Sequence, residues 1–123
     1  MKIINTKNAP LAIGPYSQGI IFGNLVFLSG QIGIDPKTNE IASSLEAQAN
    51  QVFKNIGEIL KEAGLDYSSV VKTTLFIKNM KDFSLINQIY STYFKTNPAR
   101  SCVEVSNLPK GALIECEVIA VIE

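Results

Sequence analysis

The sequence predicts an α+β fold in which a mixed β-sheet carries two helices packed on one of its faces. Two patterns lead to this prediction: short apolar runs rich in Val and Ile, and two longer segments whose apolar residues recur at helical spacing. Their order is strand, strand, helix, strand, helix, strand, strand. The chain has 123 residues, of which 46% are hydrophobic. We therefore expect one domain over residues 1–123.

The strands are predicted from β-branched and apolar runs bounded by turn residues. The first two are residues 16–22 and 25–31, and Gly23 and Asn24 between them tolerate the positive φ of a tight hairpin. Residues 35–39 combine Asp, Pro and Asn and predict a turn or loop. The remaining strands are predicted at residues 70–77, 101–105 and 112–122.

The first helix is predicted to begin at a capping box formed by Ser43 and Glu46 and to end at Gly64, which suits the left-handed C′ position. Gly57 within it indicates a close approach to the sheet. The second helix is predicted to begin with Asp82 as its cap. The apolar residues of the two helices form one stripe each: Leu45, Ala49, Val52, Phe53, Ile56, Leu60 and Ala63, and then Phe83, Ile86, Tyr90, Tyr93 and Phe94.

A single layer of two helices shields only one face of the sheet, yet the predicted strands are apolar at both parities. Candidate residues for the second face are Val70, Phe76, Leu113, Ile119 and Val121. We expect self-association to cover this face, because a large apolar surface is otherwise exposed to water.

Composition excludes several classes of protein. Eleven basic residues balance eleven acidic ones without a basic cluster, which argues against nucleic acid as the main partner. The absence of histidine removes the usual Ser-His and Cys-His pairs and the commonest metal ligand. Cys102 and Cys116 form neither a disulfide pattern nor a metal knuckle. No secretory or membrane-spanning stretch is present, so we expect a cytoplasmic protein without a metal site.

Three positions stand out as candidates for chemistry. Glu115 and Glu117 share one parity of an otherwise apolar strand; they either lie on an exposed face, meet lysines across an interface, or place a carboxylate in a cleft to orient water. Arg100 is the only arginine, and its planar fork suits bidentate binding of an anion, although from spacing alone an ordinary salt bridge to Glu104 or Glu117 fits slightly better.

Weaker candidates lie near these positions. Cys102 shares the parity of Arg100 and is either a buried inert thiol or part of the same site. Tyr16 follows a Gly-Pro turn and lies either at the edge of the core or in a pocket. Ser29 and Gly30 end a strand, where they make either a simple turn or contacts with a ligand.

Taken together, these residues resemble the RidA (YjgF-type) family of reactive-intermediate imine deaminases over essentially the whole chain. The most specific stretch is Pro-Ala-Arg-Ser-Cys-Val at residues 98–103, followed by Leu-Pro-Lys at 108–110 and Ile-Glu at 114–115. Further matches are Asn-Ala-Pro at 8–10, Ile-Gly-Pro-Tyr-Ser-Gln at 13–18, Ser-Gly-Gln-Ile at 29–32, Val-Lys-Thr-Thr at 71–74, and Asn87. Cys116 departs from the pattern, because relatives usually carry isoleucine or methionine there.

The resemblance implies a chorismate-mutase-like two-layer domain assembled as a homotrimer, with active sites in clefts between subunits. It also implies hydrolysis of 2-imino acids, such as 2-iminopropanoate and 2-iminobutanoate, to 2-oxo acids and ammonia. This reaction detoxifies products of PLP-dependent dehydratases and requires no cofactor. Arg100 would then hold the substrate carboxylate, assisted by the amide of Cys102, the backbone of Ser29 and Gly30, and more weakly by Asn87.

The resemblance also implies that Glu115 would orient and partly deprotonate the attacking water. Tyr16 would close the pocket and hydrogen-bond the reacting nitrogen or water. Two other functions remain open from the sequence. One is a trimer that binds small carboxylates without catalysis or holds other proteins as a chaperone-like factor. The other is a ribonuclease or translation inhibitor, against which the charge balance and the missing histidine argue.

Overall fold

The computed structural model describes all residues from Met1 to Glu123. Two α-helices, α1 (Leu45–Glu62) and α2 (Phe83–Tyr93), pack against a six-stranded sheet. The strands in chain order are β1 (Lys2–Ile4), β2 (Gly19–Phe22), β3 (Leu25–Ile32), β4 (Ile34–Asp35), β5 (Glu40–Ile41), β6 (Val70–Ile77), β7 (Ala99–Glu104) and β8 (Ile114–Val121). Neither helix combines the length and apolar character that crossing a bilayer requires.

The main sheet is mixed, as predicted. Its strand order is β1-β2-β3-β8-β6-β7, and β4 and β5 form a separate two-stranded hairpin. Only β6 and β7 run parallel, because α2 connects them as a crossover, and the other neighbouring strands are antiparallel. The strand β7, which carries Arg100, therefore lies at one edge of the sheet.

The core lies between the two helices and one face of the sheet. Phe53 of α1 is fully buried. Its ring centroid lies 5.2–5.8 Å from the ring centroids of three aromatic residues at the end of α2: Tyr90, Tyr93 and Phe94. Along β8, alternate residues point into the core: Ile114, Cys116, Val118 and Ala120. The fold class predicted from the sequence, two helices on one face of a mixed sheet, is confirmed.

The end of α1 confirms the role predicted for Gly64. Gly64 adopts a φ of 76°, and its N–H donates to the Lys61 carbonyl while the Leu65 N–H donates to the Leu60 carbonyl, which is the Schellman pattern. The start of α1 differs from the prediction by one residue, because the side chain of Ser44, not Ser43, accepts the hydrogen bond from Ala47. The expected capping box with Glu46 is therefore absent.

Other local features differ in part from the predictions. The strand β1 was not predicted, because three residues at a sheet edge show no periodicity. The turn predicted at residues 35–39 is confirmed at residues 36–39, whereas the two short strands β4 and β5 that it joins into a hairpin were not predicted. Asp82 occupies the N-cap position of α2 without a side-chain capping bond. Gly57 makes room for the Tyr67 hydroxyl, which donates to the Phe53 carbonyl, rather than for the sheet.

The second face of the sheet is uncovered by helices. A register shift between Val70 and Lys72 turns the Val70 side chain into the core, where it is buried. The prediction that Val70 lies on the second face was therefore wrong. Phe76, Ile119 and Val121 remain half-buried on the open side, as does Leu113 just before β8. Leu25 and Phe27 of β3 and Val103 of β7 are 37%, 41% and 43% exposed. The fold leaves an apolar sheet face open to a partner.

Candidate active site

One pocket opens on the uncovered side of the sheet, where β3 and β8 meet the loops before β2 and β8. Its volume is about 130 Å³. Glu115 of β8, Gly30 of β3 and Tyr16 line it, together with apolar side chains. The apolar lining residues are Pro10, Leu11, Ile13, Ile32, Ile34 and Pro109. Gln31, Asn39 and Lys110 also line the pocket. The Glu115 carboxylate is thus partly removed from water among apolar and polar side chains, an environment that changes its proton affinity.

A β-bulge shapes the floor of this pocket. Leu28 pairs with Val118 and Gln31 pairs with Cys116, so Ser29 and Gly30 together face the single residue Glu117. Such a bulge interrupts the ladder and bends the strand. Gly30 then passes directly beneath the Glu115 carboxylate, at a point where any β-carbon would overlap it.

The environment of Glu115 raises the affinity of its carboxylate for a proton. Burial raises the pKa of the Glu115 carboxyl, and the charge of Glu117 two residues along the strand raises it further. A glutamate with a raised pKa accepts and returns a proton more readily near neutral pH than an ordinary glutamate does. The electrostatics therefore suit Glu115 to proton transfer.

Tyr16 lies in the loop before β2 rather than in a strand, and its side chain is 50% exposed at the pocket. Its N–H donates to the Gly14 carbonyl over 2.8 Å in a tight turn. The carbonyl of Ser17, the residue that follows Tyr16 in the chain, accepts a hydrogen bond from the Ser29 hydroxyl over 2.6 Å. The hydroxyl of Ser29 is thus used to attach this loop to β3, and Ser29 itself is not among the pocket-lining residues.

Arg100 lies on the helix side of the sheet, in a groove between α2 and β7. Its Nη1 donates to Asn87 Oδ1 over 2.7 Å. Its Cζ atom lies 4.8 Å from the ring centroid of Tyr90 and 5.4 Å from that of Phe83. The hydroxyl of Tyr90 is in turn hydrogen-bonded to the Thr73 hydroxyl at 2.7 Å. Two aromatic faces and a neutral amide therefore orient the guanidinium without neutralising it.

These aromatic supports were missed at the sequence level, where Phe83 and Tyr90 were counted only as core. Asn87 and Tyr90 follow Phe83 at the helical spacing of four and seven residues, so all three lie on one face of α2. The signal available in the sequence was the coincidence of this stripe with a lone arginine. Glu104, one of the two predicted ion-pair partners, instead accepts a hydrogen bond from the Met80 N–H.

Cys102 lies beside Arg100 with its thiol partly buried against the core. The strand pairing confirms that it shares the parity of Arg100, since Arg100 pairs with Thr73 and Cys102 pairs with Leu75. Burial raises the pKa of the Cys102 thiol, although the Arg100 charge acts in the opposite direction. At neutral pH the thiol is protonated and is therefore a poor nucleophile.

The candidate residues thus form two groups on opposite faces of the sheet. Glu115 projects from the open face, opposite Phe76 in the pairing with β6, whereas Arg100 lies over the rings of α2. Tyr16 and Gly30 lie with Glu115; Asn87 and Cys102 lie with Arg100. Within one chain, the predicted anion-binding residue and the predicted proton-transfer residue do not face a common cavity.

The chain has extensive similarity to known proteins. A family model described as endoribonuclease L-PSP matches residues 6–122. The chain is 50% identical over 124 residues to the 2-iminobutanoate/2-iminopropanoate deaminase of Salmonella typhimurium, an alignment that covers 98% of this chain and 97% of that protein. It is 47% identical over 122 residues to the human protein of the same name, covering 98% and 89%. Its fold matches that of Escherichia coli TdcF with bound serine, with a TM-score of 0.96, 43% identity and complete coverage of both chains.

Proposed function

The chain belongs to the endoribonuclease L-PSP family, which includes the YjgF and RidA proteins, and from this membership and the site geometry we propose that it hydrolyses 2-imino acids to 2-oxo acids and ammonia. The substrates are small species such as 2-iminopropanoate and 2-iminobutanoate. The observation that carries the proposal is the pair of half-sites: an unneutralised guanidinium on one face and a carboxylate of raised pKa in a partly apolar pocket on the other. The deaminase names of the Salmonella and human relatives support it.

The two half-sites belong together in this proposal because a second copy of the chain joins them. Residues 1–123 act as one domain, and three copies assemble as a chorismate-mutase-like homotrimer through the open apolar face of the sheet. Phe27 and Val103 on this face are exposed, and burying such residues between subunits is favourable. Arg100, on the edge strand β7, then reaches the Glu115 pocket of a neighbouring subunit.

The substrate carboxylate binds to Arg100. Its planar fork forms charge-assisted hydrogen bonds, each worth about 1.5–3 kcal/mol. The backbone amide of Cys102 and the backbone of Ser29 and Gly30 hold the same substrate from two sides. Asn87 acts through Arg100, because its hydrogen bond fixes the guanidinium. The solved relative that holds serine supports the substrate class alone, since serine offers a carboxylate with nitrogen at the adjacent carbon.

Water then attacks the imine carbon. Glu115 accepts a proton from the water as its oxygen bonds to that carbon and the C=N bond becomes single. Glu115 returns this proton to the nitrogen, which gives a carbinolamine. Glu115 then takes the proton of the new hydroxyl group and passes it to the same nitrogen while the C–O bond becomes double, so that the C–N bond breaks and releases ammonia and the 2-oxo acid. Tyr16 closes the pocket and donates a hydrogen bond to the reacting nitrogen or water. Holding an electrophilic carbon beside an oriented water supplies most of the acceleration.

The test is ammonia and 2-oxo acid release while an amino-acid oxidase generates 2-iminopropanoate or 2-iminobutanoate in the same solution. Arg100→Ala is compared with the wild type and with Lys95→Ala, a matched loss of an exposed cation outside the candidate site. The proposal predicts acceleration by the wild type and by Lys95→Ala, and its loss in Arg100→Ala. Light scattering establishes that each sample is a folded trimer.

Other outcomes assign other functions. Saturable binding of a 2-oxo acid without accelerated imine loss identifies a small-carboxylate-binding module instead of an enzyme. Cleavage of RNA by the purified protein, lost in Glu115→Gln, supports the activity in the family's description. Full activity in a trimeric Arg100→Ala variant contradicts the role assigned to Arg100.

A further inference from the structure

The rim of the Glu115 pocket is built by a segment without regular secondary structure. Residues 5–18, between β1 and β2, contain neither helix nor strand. This segment nevertheless supplies Pro10, Leu11, Ile13 and Tyr16 to the pocket. Because no ladder of backbone hydrogen bonds holds the segment, side chains must satisfy and fix its backbone.

One side chain provides most of this support. Gln18 is only 2% exposed. Its Nε2 donates to the carbonyls of Thr6 over 3.0 Å and Pro10 over 2.8 Å, with a longer bond to Ala9. Its Oε1 accepts a hydrogen bond from the Thr6 N–H over 2.7 Å. A glutamine is suited to this task, because one planar group offers two donor hydrogens and an acceptor.

The support extends along the chain to Tyr16. The Gln18 carbonyl accepts a hydrogen bond from the Ser29 N–H over 3.0 Å, and the Ser17 carbonyl accepts one from the Ser29 hydroxyl. Gln18 is therefore fixed to β3 through its backbone and to residues 6–10 through its side chain. The segment that carries Tyr16 therefore forms a loop, and Gln18 holds the two ends of this loop together.

We propose that Gln18 is a positioning residue for the reaction: by binding the backbone of residues 6–10 it fixes the loop on which Tyr16 reaches the reacting atoms. This inference rests on the proposed function. Gln18 does not line the Glu115 pocket, so its effect on the rate passes through Tyr16. Loss of the anchor lets the loop move while Arg100 of the neighbouring subunit continues to bind the substrate carboxylate.

The test is a double-mutant cycle of Gln18→Leu and Tyr16→Phe, with kcat and KM measured for imine hydrolysis by confirmed trimers. In the otherwise wild-type protein, Gln18→Leu lowers kcat about tenfold while KM changes less than about threefold. In the Tyr16→Phe protein, the same substitution lowers kcat less than about threefold, because the phenol is already absent. Hydrogen exchange of amides 6–16 accelerates in Gln18→Leu.

Tyr67→Phe serves as the control, since it removes a partly buried hydrogen bond to Phe53 far from the pocket and leaves the kcat unchanged. If Gln18→Leu does not fold, Gln18→Glu retains the volume and places a carboxylate oxygen against the carbonyls of Thr6 and Pro10, and the same coupling is expected. Equal kcat losses on both backgrounds, or an unchanged kcat in Gln18→Leu, overturn the inference alone. No hydrolysis by the wild type overturns the proposed function, and this inference with it.

Discussion

The carboxylate of Glu115 lies against the backbone of Gly30. A β-carbon added to Gly30 would be 3.1 Å from Glu115 Cγ and only 2.8 Å from Glu115 Cδ, and the second distance is closer than non-bonded carbon atoms approach one another. The space that glycine leaves is thus occupied by the candidate proton-transfer group. The bulge at residues 29–30 and the position of Glu115 are therefore one structural feature.

Gly30→Ala should displace the Glu115 carboxylate while leaving the fold intact. Because misplacing a reacting group by about 1 Å costs up to about a hundredfold in rate, we expect kcat for imine hydrolysis to fall at least about tenfold. Gly23→Asn is the control: a β-carbon at Gly23 meets no atom, and asparagine tolerates its left-handed conformation. Equal kcat values for Gly30→Ala and wild type, with unchanged circular dichroism, would contradict this prediction.

Glu115→Gln should reduce activity and increase stability at neutral pH. Glutamine cannot accept the water proton, and loss of a general base lowers kcat about 10²–10⁴-fold. The pKa of Glu115 is raised in the folded state, so the folded state binds this proton more tightly than the unfolded state does. The stability of the wild type therefore falls as pH rises through the window above the ordinary glutamate pKa.

The neutral glutamine avoids this loss. We expect Glu115→Gln to have a higher free energy of unfolding than the wild type at pH 7, and the difference to shrink toward pH 4. Denaturant unfolding at both pH values measures it, with Glu62→Gln, an exposed site on α1, as the control. A stability difference that grows toward pH 4 would show that the sign is wrong.

Asn87→Asp should weaken substrate binding by neutralising Arg100. The new carboxylate takes the place of the amide oxygen that lies 2.7 Å from the guanidinium and competes with the substrate carboxylate for it. We expect KM to rise about tenfold with a smaller change in kcat. Gln88→Glu, which adds the same charge at the next, exposed residue of α2, should leave KM within about twofold of the wild type. An equal effect of the two variants on KM would indicate that the added negative charge only repels the substrate carboxylate and does not act through Arg100.

Arg100→Ala and Glu115→Gln should complement each other when their subunits are mixed. If each site takes Arg100 from one chain and Glu115 from a neighbour, random assortment of equal amounts restores about a quarter of the wild-type sites. Unfolding and refolding the variants together, then measuring ammonia release, checks this number. Activity that stays at the level of the separate variants would place both residues of each site in one chain.

The local parts of this structure could be predicted from neighbouring residues. The periodicity of α1 places Phe53 and Ile56 in the core, Gly64 ends the helix in the left-handed region, and Gly23 has the positive φ of its hairpin turn. Each of these features depends on residues within about four positions. Ser43 and Ser44 both suit the N-cap position of α1, and the residues around them did not show which of the two caps the helix.

The candidate residues were also found from the sequence, because a lone arginine and a carboxylate in an apolar strand are anomalies of composition and parity. Their arrangement was not accessible in this way. The strand register puts Arg100 over Tyr90 and Glu115 over Gly30, on opposite faces of the sheet. The anchor formed by Gln18 spans 12 positions to Thr6.

The sequence by itself therefore determined the two helices, the longer strands and the side chains that carry unusual chemistry. Only the tertiary structure decided which of those side chains share a pocket, what supports them, and which face of the sheet is left without a cover. The physical reason is the separation along the chain between the residues that interact. Helix periodicity and turn conformation arise from nearby residues, whereas strand register, bulges and close backbone approaches are set by partners that the chain reaches only after folding.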